Sequence, residues 1–134
     1  MEITDYSKNR LKATFAKWEV DPEYSDHMYS YLIYGFEPGS FFTAVLANDF
    51  MGAVSHSHPS NTIPALKRLV GWINDCMPAD AYGSYTAVKE WCKMDDEDRR
   101  YCLERHQLIY TSKEEVWKIL KDDPVEHYAW VEDI

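Results

Sequence analysis

Apolar side chains recur every three or four residues along most of the chain, the spacing of helices that bury one face. Over residues 4 to 18, Leu11, Phe15 and Trp18 fall on one side, with Lys8, Arg10, Lys12 and Lys17 interleaved, so an amphipathic helix is predicted there. Asp21-Pro22-Glu23 opens a second helix, from 22 to about 34. The Asp side chain accepts from free amides, Pro has no N–H to leave unpaired at the first helical position, and Glu favours the positive end of the dipole. Tyr24, Met28, Tyr31 and Leu32 share a face of this helix, and Gly35 is placed to end it in a left-handed cap.

The pattern changes at Pro38. Residues 38 to 66 carry one formal charge, Asp49, so a helix over 40 to 55, capped by Ser40, is apolar on nearly every side. Such a helix belongs in the middle of a domain. His56-Ser57-His58-Pro59-Ser60-Asn61 then reverses the chain, because Pro59 disfavours helical geometry at His58 and the small polar residues suit a turn. The next helix, 62 to 76, has an apolar seam of Ile63, Leu66, Val70, Ile73 and Met77 and is expected antiparallel to the central one.

Residues 77 to 83 read as a loop, after which Ser84 caps a helix over 85 to 93 with Val88, Trp91 and Cys92 inward. Asp95-Asp96-Glu97-Asp98 begins another helix, since acids in a first turn are favoured by the dipole. Residues 106 to 110 fit a short strand or a helix end equally well. Ser112-Lys113-Glu114-Glu115 matches a capping box, and Val116, Ile119 and Leu120 give the helix it opens a buried side. Asp123-Pro124 can start one last turn, and residues 125 to 134, with Tyr128 and Trp130, dock on the domain or pair with 106 to 110. The predicted fold is mainly α: one compact domain over 1–134, a bundle of six or seven helices, with room for a short two-stranded element near the C-terminus.

Composition narrows the function classes. At 46% hydrophobic and 15% aromatic residues, the chain has the groups that offset ordering entropy. A net charge of −9 argues against direct nucleic-acid binding and against an anionic membrane surface, because both need Lys and Arg to displace counterions. The charge is concentrated late: residues 95–134 carry −6 and residues 1–94 carry −3. A dense acidic surface solubilises, or it occupies a basic cleft on another protein. Cys76, Cys92 and Cys102 are odd in number and widely spaced, as expected of reduced intracellular thiols. No secretory signal or transmembrane helix is expected.

Candidate chemistry is sparse. Asn48-Asp49 lies inside the most apolar stretch, where a carboxylate needs hydrogen-bond partners. The pair serves either to brace the fold or to line a ligand pocket. His56 and His58, with Asp49 or Cys76, fall short of a persuasive metal-ligand pattern, and exposed loop histidines are the simpler reading. Cys92 and Cys102 sit on apolar faces and read as buried, inert thiols. No phosphate loop, nucleophile elbow or zinc-protease motif occurs, so neither a catalytic residue nor a cofactor is assigned. Ten Tyr and five Trp exceed the needs of a small helical core. Tyr24, Tyr29, Tyr31 and Tyr34 cannot all face inward from one helix, and exposed Tyr and Trp suit protein contacts.

The stretch from Tyr34 to Phe50, containing Pro38-Gly39-Ser40-Phe41 and Ala44-Val45-Leu46-Ala47-Asn48-Asp49, with Trp72 and Gly83-Ser84 after it, resembles a family of small bacteriophage proteins of uncharacterised activity. The resemblance covers about residues 31 to 93 and leaves the acidic part, 95 to 134, outside it. It implies a phage-encoded protein acting in the host cell cytoplasm, without implying catalytic residues. The combined expectation is a non-enzymatic accessory protein that binds and modulates a host protein. Its expected contact residues are Asp95, Asp96, Glu97, Asp98, Tyr29, Tyr34 and Trp130. The alternative is a small-ligand or nucleotide-binding protein using Asn48 and Asp49. Helix 22 to 34 also has aromatics enough to serve a homodimer.

Overall fold

The computed structural model describes residues 3–57, 61–106 and 108–109. Within them the chain forms one helical domain of seven α-helices. They are α1 (Asp5–Lys17), α2 (Pro22–Tyr34), α3 (Ser40–Leu46), α4 (Phe50–His56), α5 (Ile63–Cys76), α6 (Tyr85–Lys93) and α7 (Asp96–Arg105), with a 3-10 turn at Ala79–Ala81. No strand occurs among the described residues. Leu108 and Ile109 are buried, and the chain there continues from the end of α7 without a strand. The expected helix after Ser112 and the suggested pairing of 106–110 with 125–134 fall on or reach into residues outside those described.

The helix boundaries follow the capping chemistry in the sequence. Asp21 accepts from the Glu23 amide at 2.9 Å, Thr62 from Ala65 at 3.2 Å, Ser84 from Ala87 at 3.0 Å, and Asp95 from Asp98 at 2.8 Å. Gly35 ends α2 at φ +67, where a side chain would be strained. It also touches the Arg99 guanidinium, so a Cβ there would meet α7.

The centre of the domain is α2. Met28, Tyr31, Leu32 and Ile33 are fully buried. The Tyr31 hydroxyl donates to the Ala81 carbonyl at 2.7 Å, and the Trp91 indole donates to the Tyr31 carbonyl at 3.1 Å. Burial holds the Tyr31 hydroxyl protonated by pushing its pKa far above the usual value. Tyr24 at the start of α2 packs edge-on to Phe42 of α3 at 5.5 Å, and Phe42 stacks on His27 at 4.4 Å.

The stretch expected at the centre lies elsewhere. Instead of one helix over 40 to 55, the chain breaks at Ala47-Asn48-Asp49 into α3 and α4. Asn48 takes a left-handed conformation at φ 62, and the Asp49 amide returns to the Ala44 carbonyl at 2.9 Å, closing α3. Asp49 then caps α4, accepting from the Gly52 amide at 2.9 Å. Gly39, not Ser40, is the cap residue of α3, and no side chain caps that end. The turn carries α3 into the core, with Phe41, Phe42, Ala44 and Leu46 buried, but leaves α4 with Ala53 as its one buried residue.

The face buried by α5 also differs from its predicted seam. Leu69, Trp72, Ile73 and Cys76 are buried, whereas Ile63 and Val70 are exposed. The reason is that α5 takes α1 as its packing partner. Trp72 stacks on Phe15 at 4.4 Å and donates to Thr14 Oγ1 at 3.0 Å, and the Trp18 ring lies over Gly71, where a Cβ would overlap it. Asp75 fastens the same contact by accepting from Trp18 Nε1 at 2.8 Å and pairing with Lys17 at 3.3 Å.

Replacing Tyr31 by Phe removes a donor and leaves the Ala81 carbonyl buried without it. The expected loss is about 1–3 kcal/mol of unfolding free energy with an unchanged denaturant slope, read by urea titration.

Candidate functional site

Two surfaces gather residues singled out by the sequence. The first forms where the end of α2 meets the start of α7. Arg99 is buried there; its guanidinium bonds to the Met94 carbonyl and to the Asp96 carboxylate while packing against Gly35. This contact brings Tyr34-Gly35-Phe36 alongside residues 94 to 98. Tyr34 and Phe36 are exposed, their rings stacked at 5.5 Å, and half-buried Tyr29 meets Tyr34 edge-on at 6.2 Å. Asp95, Asp96, Glu97 and Asp98 are all exposed. Three of these acids have local work as well: Asp95 caps α7, Asp96 pairs with Arg99, and Glu97 lies 3.9 Å from Arg100. The Arg99–Gly35 contact thus brings Tyr34 toward the acidic turn, with Phe36 as an addition; Tyr29 joins only through Tyr34 and itself lines a cavity with Lys8 and Lys12 of α1. The position of Phe36 directly after the Gly35 cap was the available signal. Trp130 lies outside the described residues.

The second surface is a groove between α4 and α5. Its concave end is a cavity of about 350 Å³ with Leu46 and Ala53 beneath it, Phe50 on one side and Leu66, Val70 and Ile73 on the other. Asn48, Asp49 and Asn74 are polar members of its lining. The Asn48–Asp49 pair therefore braces the fold and also borders a cavity. Asp49 Oδ1 accepts from the Gly52 amide, and Oδ2 accepts from the Tyr85 hydroxyl at 2.5 Å. Those bonds, Tyr85's first, hold the Asp49 carboxyl below its usual pKa, and the same contact raises that of Tyr85. Tyr85 was not singled out by the sequence, because nothing in its local pattern shows that α6 begins beside the α3–α4 turn. The Gly83 amide, donating to the Leu46 carbonyl at 2.7 Å, fixes that approach.

The remaining candidates form no site. Burial, with Asp75 beside it, pushes the Cys76 thiol up to about 12; burial, with Asp80, pushes Cys102 up to about 11. Cys92 is raised as well, by burial and by Glu37. A thiol so placed stays protonated at neutral pH and is a poor nucleophile. Among the described residues no three His, Cys, Asp or Glu side chains converge to hold a metal ion. His56 ends α4, and His58 lies outside the described residues. No described helix is long and apolar enough to cross a membrane.

Comparison of the chain with family models, with curated proteins and with solved structures finds no significant match.

Because native Asp49 is more acidic than a free carboxyl, its bonds stabilise the fold above the ordinary carboxylate pKa. They are lost as pH falls through the depressed native value. An NMR titration should place the Asp49 midpoint below 3.8, and Tyr85→Phe should move it upward. An unmoved midpoint in that variant would show that the Tyr85 bond does not form in solution.

Proposed function

We propose that the chain is a non-enzymatic accessory protein that works by binding another protein, with the α2–α7 surface as the contact. The observation that carries this reading is the Arg99–Gly35 contact, which sets exposed Tyr34 and Phe36 beside the acidic first turn of α7. Flat aromatic faces bury large area at little entropic cost and attract cations, while carboxylates around them favour Lys and Arg on the partner. The fitting partner is a basic protein surface, and the −9 charge of the chain speeds encounter with it. The partner we propose is a host protein in the host cytoplasm, with modulation of a defence or nucleic-acid-handling factor as the outcome.

The nucleotide alternative gains less from the geometry. The cavity beside Asn48 and Asp49 has a carboxylate and no Lys or Arg among its described lining residues, so no cation there offsets the charge of a phosphate.

The test is affinity capture from bacterial lysate with tagged protein, analysed by mass spectrometry. A variant with Asp95, Glu97 and Asp98 changed to Asn, Gln and Asn accompanies it, as does Tyr34→Ser with Phe36→Ser. Asn at 95 keeps the cap. The expected result is one basic partner retained by the native chain, weakened by raised salt and lost from both variants. Equal capture by all three proteins, or none by the native chain at low salt, sinks the reading.

A further inference from the structure

The groove between α4 and α5 is separate from the α2–α7 surface, and both of its helices expose apolar side chains. Phe50, Met51 and Val54 of α4 are 66%, 74% and 45% exposed, and Ile63 and Val70 of α5 are 66% and 38% exposed. Isolated exposed apolar residues are ordinary, but Phe50 and Val70 line the same cavity from its two walls, and exposure paired in this way marks a contact surface. On α5, Ile63 and Val70 stand exposed with half-buried Leu66 between them, a length of about 10 Å, while Ile73 beyond them is buried in the core. That is about two turns of an α-helix, longer than a small ligand filling the 350 Å³ cavity would cover.

The charges select among occupants. Asp49 stands at the concave end, its carboxylate oriented by Tyr85 and Gly52, with the amides of Asn48 and Asn74 in the same lining and no Lys or Arg among the described lining residues. A second copy of this chain would bring another −9 to the contact. A partner with apolar side chains and one cation meets both the walls and the end. We propose that the α4–α5 groove docks an amphipathic helix of a partner protein, its apolar face against Phe50, Val54, Leu66 and Val70 and a Lys or Arg side chain at Asp49. Docking of this kind is read as anchors at i, i+3, i+4 and i+7 on the docked helix. The cavity end takes the cationic side chain, whose methylene stem lies on Leu46 and Ala53 while its head reaches the carboxylate.

The test uses the full chain and a synthetic amphipathic peptide of about 15 residues, Leu on one face and a single Lys at one end of that face, beside a copy with norleucine for the Lys. Binding is followed by fluorescence anisotropy and mapped by backbone NMR. Expected is binding with shifts concentrated at Val54, Ile63 and Val70, and a preference for the Lys peptide. Val70→Lys should weaken binding more than about tenfold. Asp49→Asn, which keeps a competent cap, should remove a preference of about two- to fivefold for Lys over norleucine. Ile63→Ser, at a more exposed position, provides the same reading if Val70→Lys unfolds the protein.

Several results would overturn the proposal: no peptide binding by the folded native chain, binding unchanged by both Val70→Lys and Ile63→Ser, or shifts that map away from the groove. Sedimentation showing self-association abolished by Ile63→Ser would overturn it in favour of a second copy. Neutralising Asp95, Glu97 and Asp98 should leave peptide affinity intact. If it removes the affinity, the α2–α7 surface is the binding site and the groove is not, so the two readings fail separately.

Discussion

The Tyr31 peptide group is the point on which the domain depends. Its carbonyl accepts the Gly35 amide that closes α2, at 3.0 Å, and also the Trp91 indole of α6, while its side chain reaches the Ala81 carbonyl beyond α5. A carbonyl has two lone pairs, and here both are taken. The arrangement lets α2 sit in the middle of the domain, with Met28, Leu32 and Ile33 around it, without leaving polar atoms of Tyr31 or Trp91 unpaired. Partners for these groups matter because a buried donor or acceptor without one forfeits its hydration and gains nothing in return.

With the centre occupied by α2, the apolar chain from 40 to 56 is divided. Its first half supplies the aromatic contacts to Tyr24 and His27; its second half is turned outward by the left-handed Asn48 and restarted by Asp49. The same turn is then held from outside by Tyr85 and Gly83. The groove is thus a by-product of how one apolar segment is folded around a polar dipeptide. The α2–α7 surface arises differently, from a buried arginine that draws an acidic helix start toward a pair of exposed rings.

Most helix limits were legible because they are written in local chemistry. Asp21-Pro22, Ser84 and Asp95 act within three residues of themselves, and Gly35 acts on its own backbone. The long helix over 40 to 55 failed for the converse reason. Asn48-Asp49 is a stop followed by a start, an αL-tolerant residue and then a cap, but in an apolar run it reads as two buried polar groups. The α5 seam misled because periodicity identifies an apolar face without saying what will cover it. Leu69 and Trp72 were equally well spaced, and contact with Phe15 and Trp18, more than fifty positions away, decided which side was buried. Asn48 and Asp49 were recognisable as candidates, but their neighbour Tyr85 was not, since the contact spans 36 positions.

The division of the apolar segment separates two kinds of selection. Substitutions at Tyr31, Trp91 or Leu46 strike a fully buried framework, whereas Phe50, Met51 and Val54 lie on a seven-residue helix with Ala53 as its one buried side chain. Changes at such exposed positions usually alter stability by less than about 0.5 kcal/mol. The outer face of α4 is therefore free to drift, and a lineage pressed to follow a changing partner has there a stretch it can rewrite without refolding the rest.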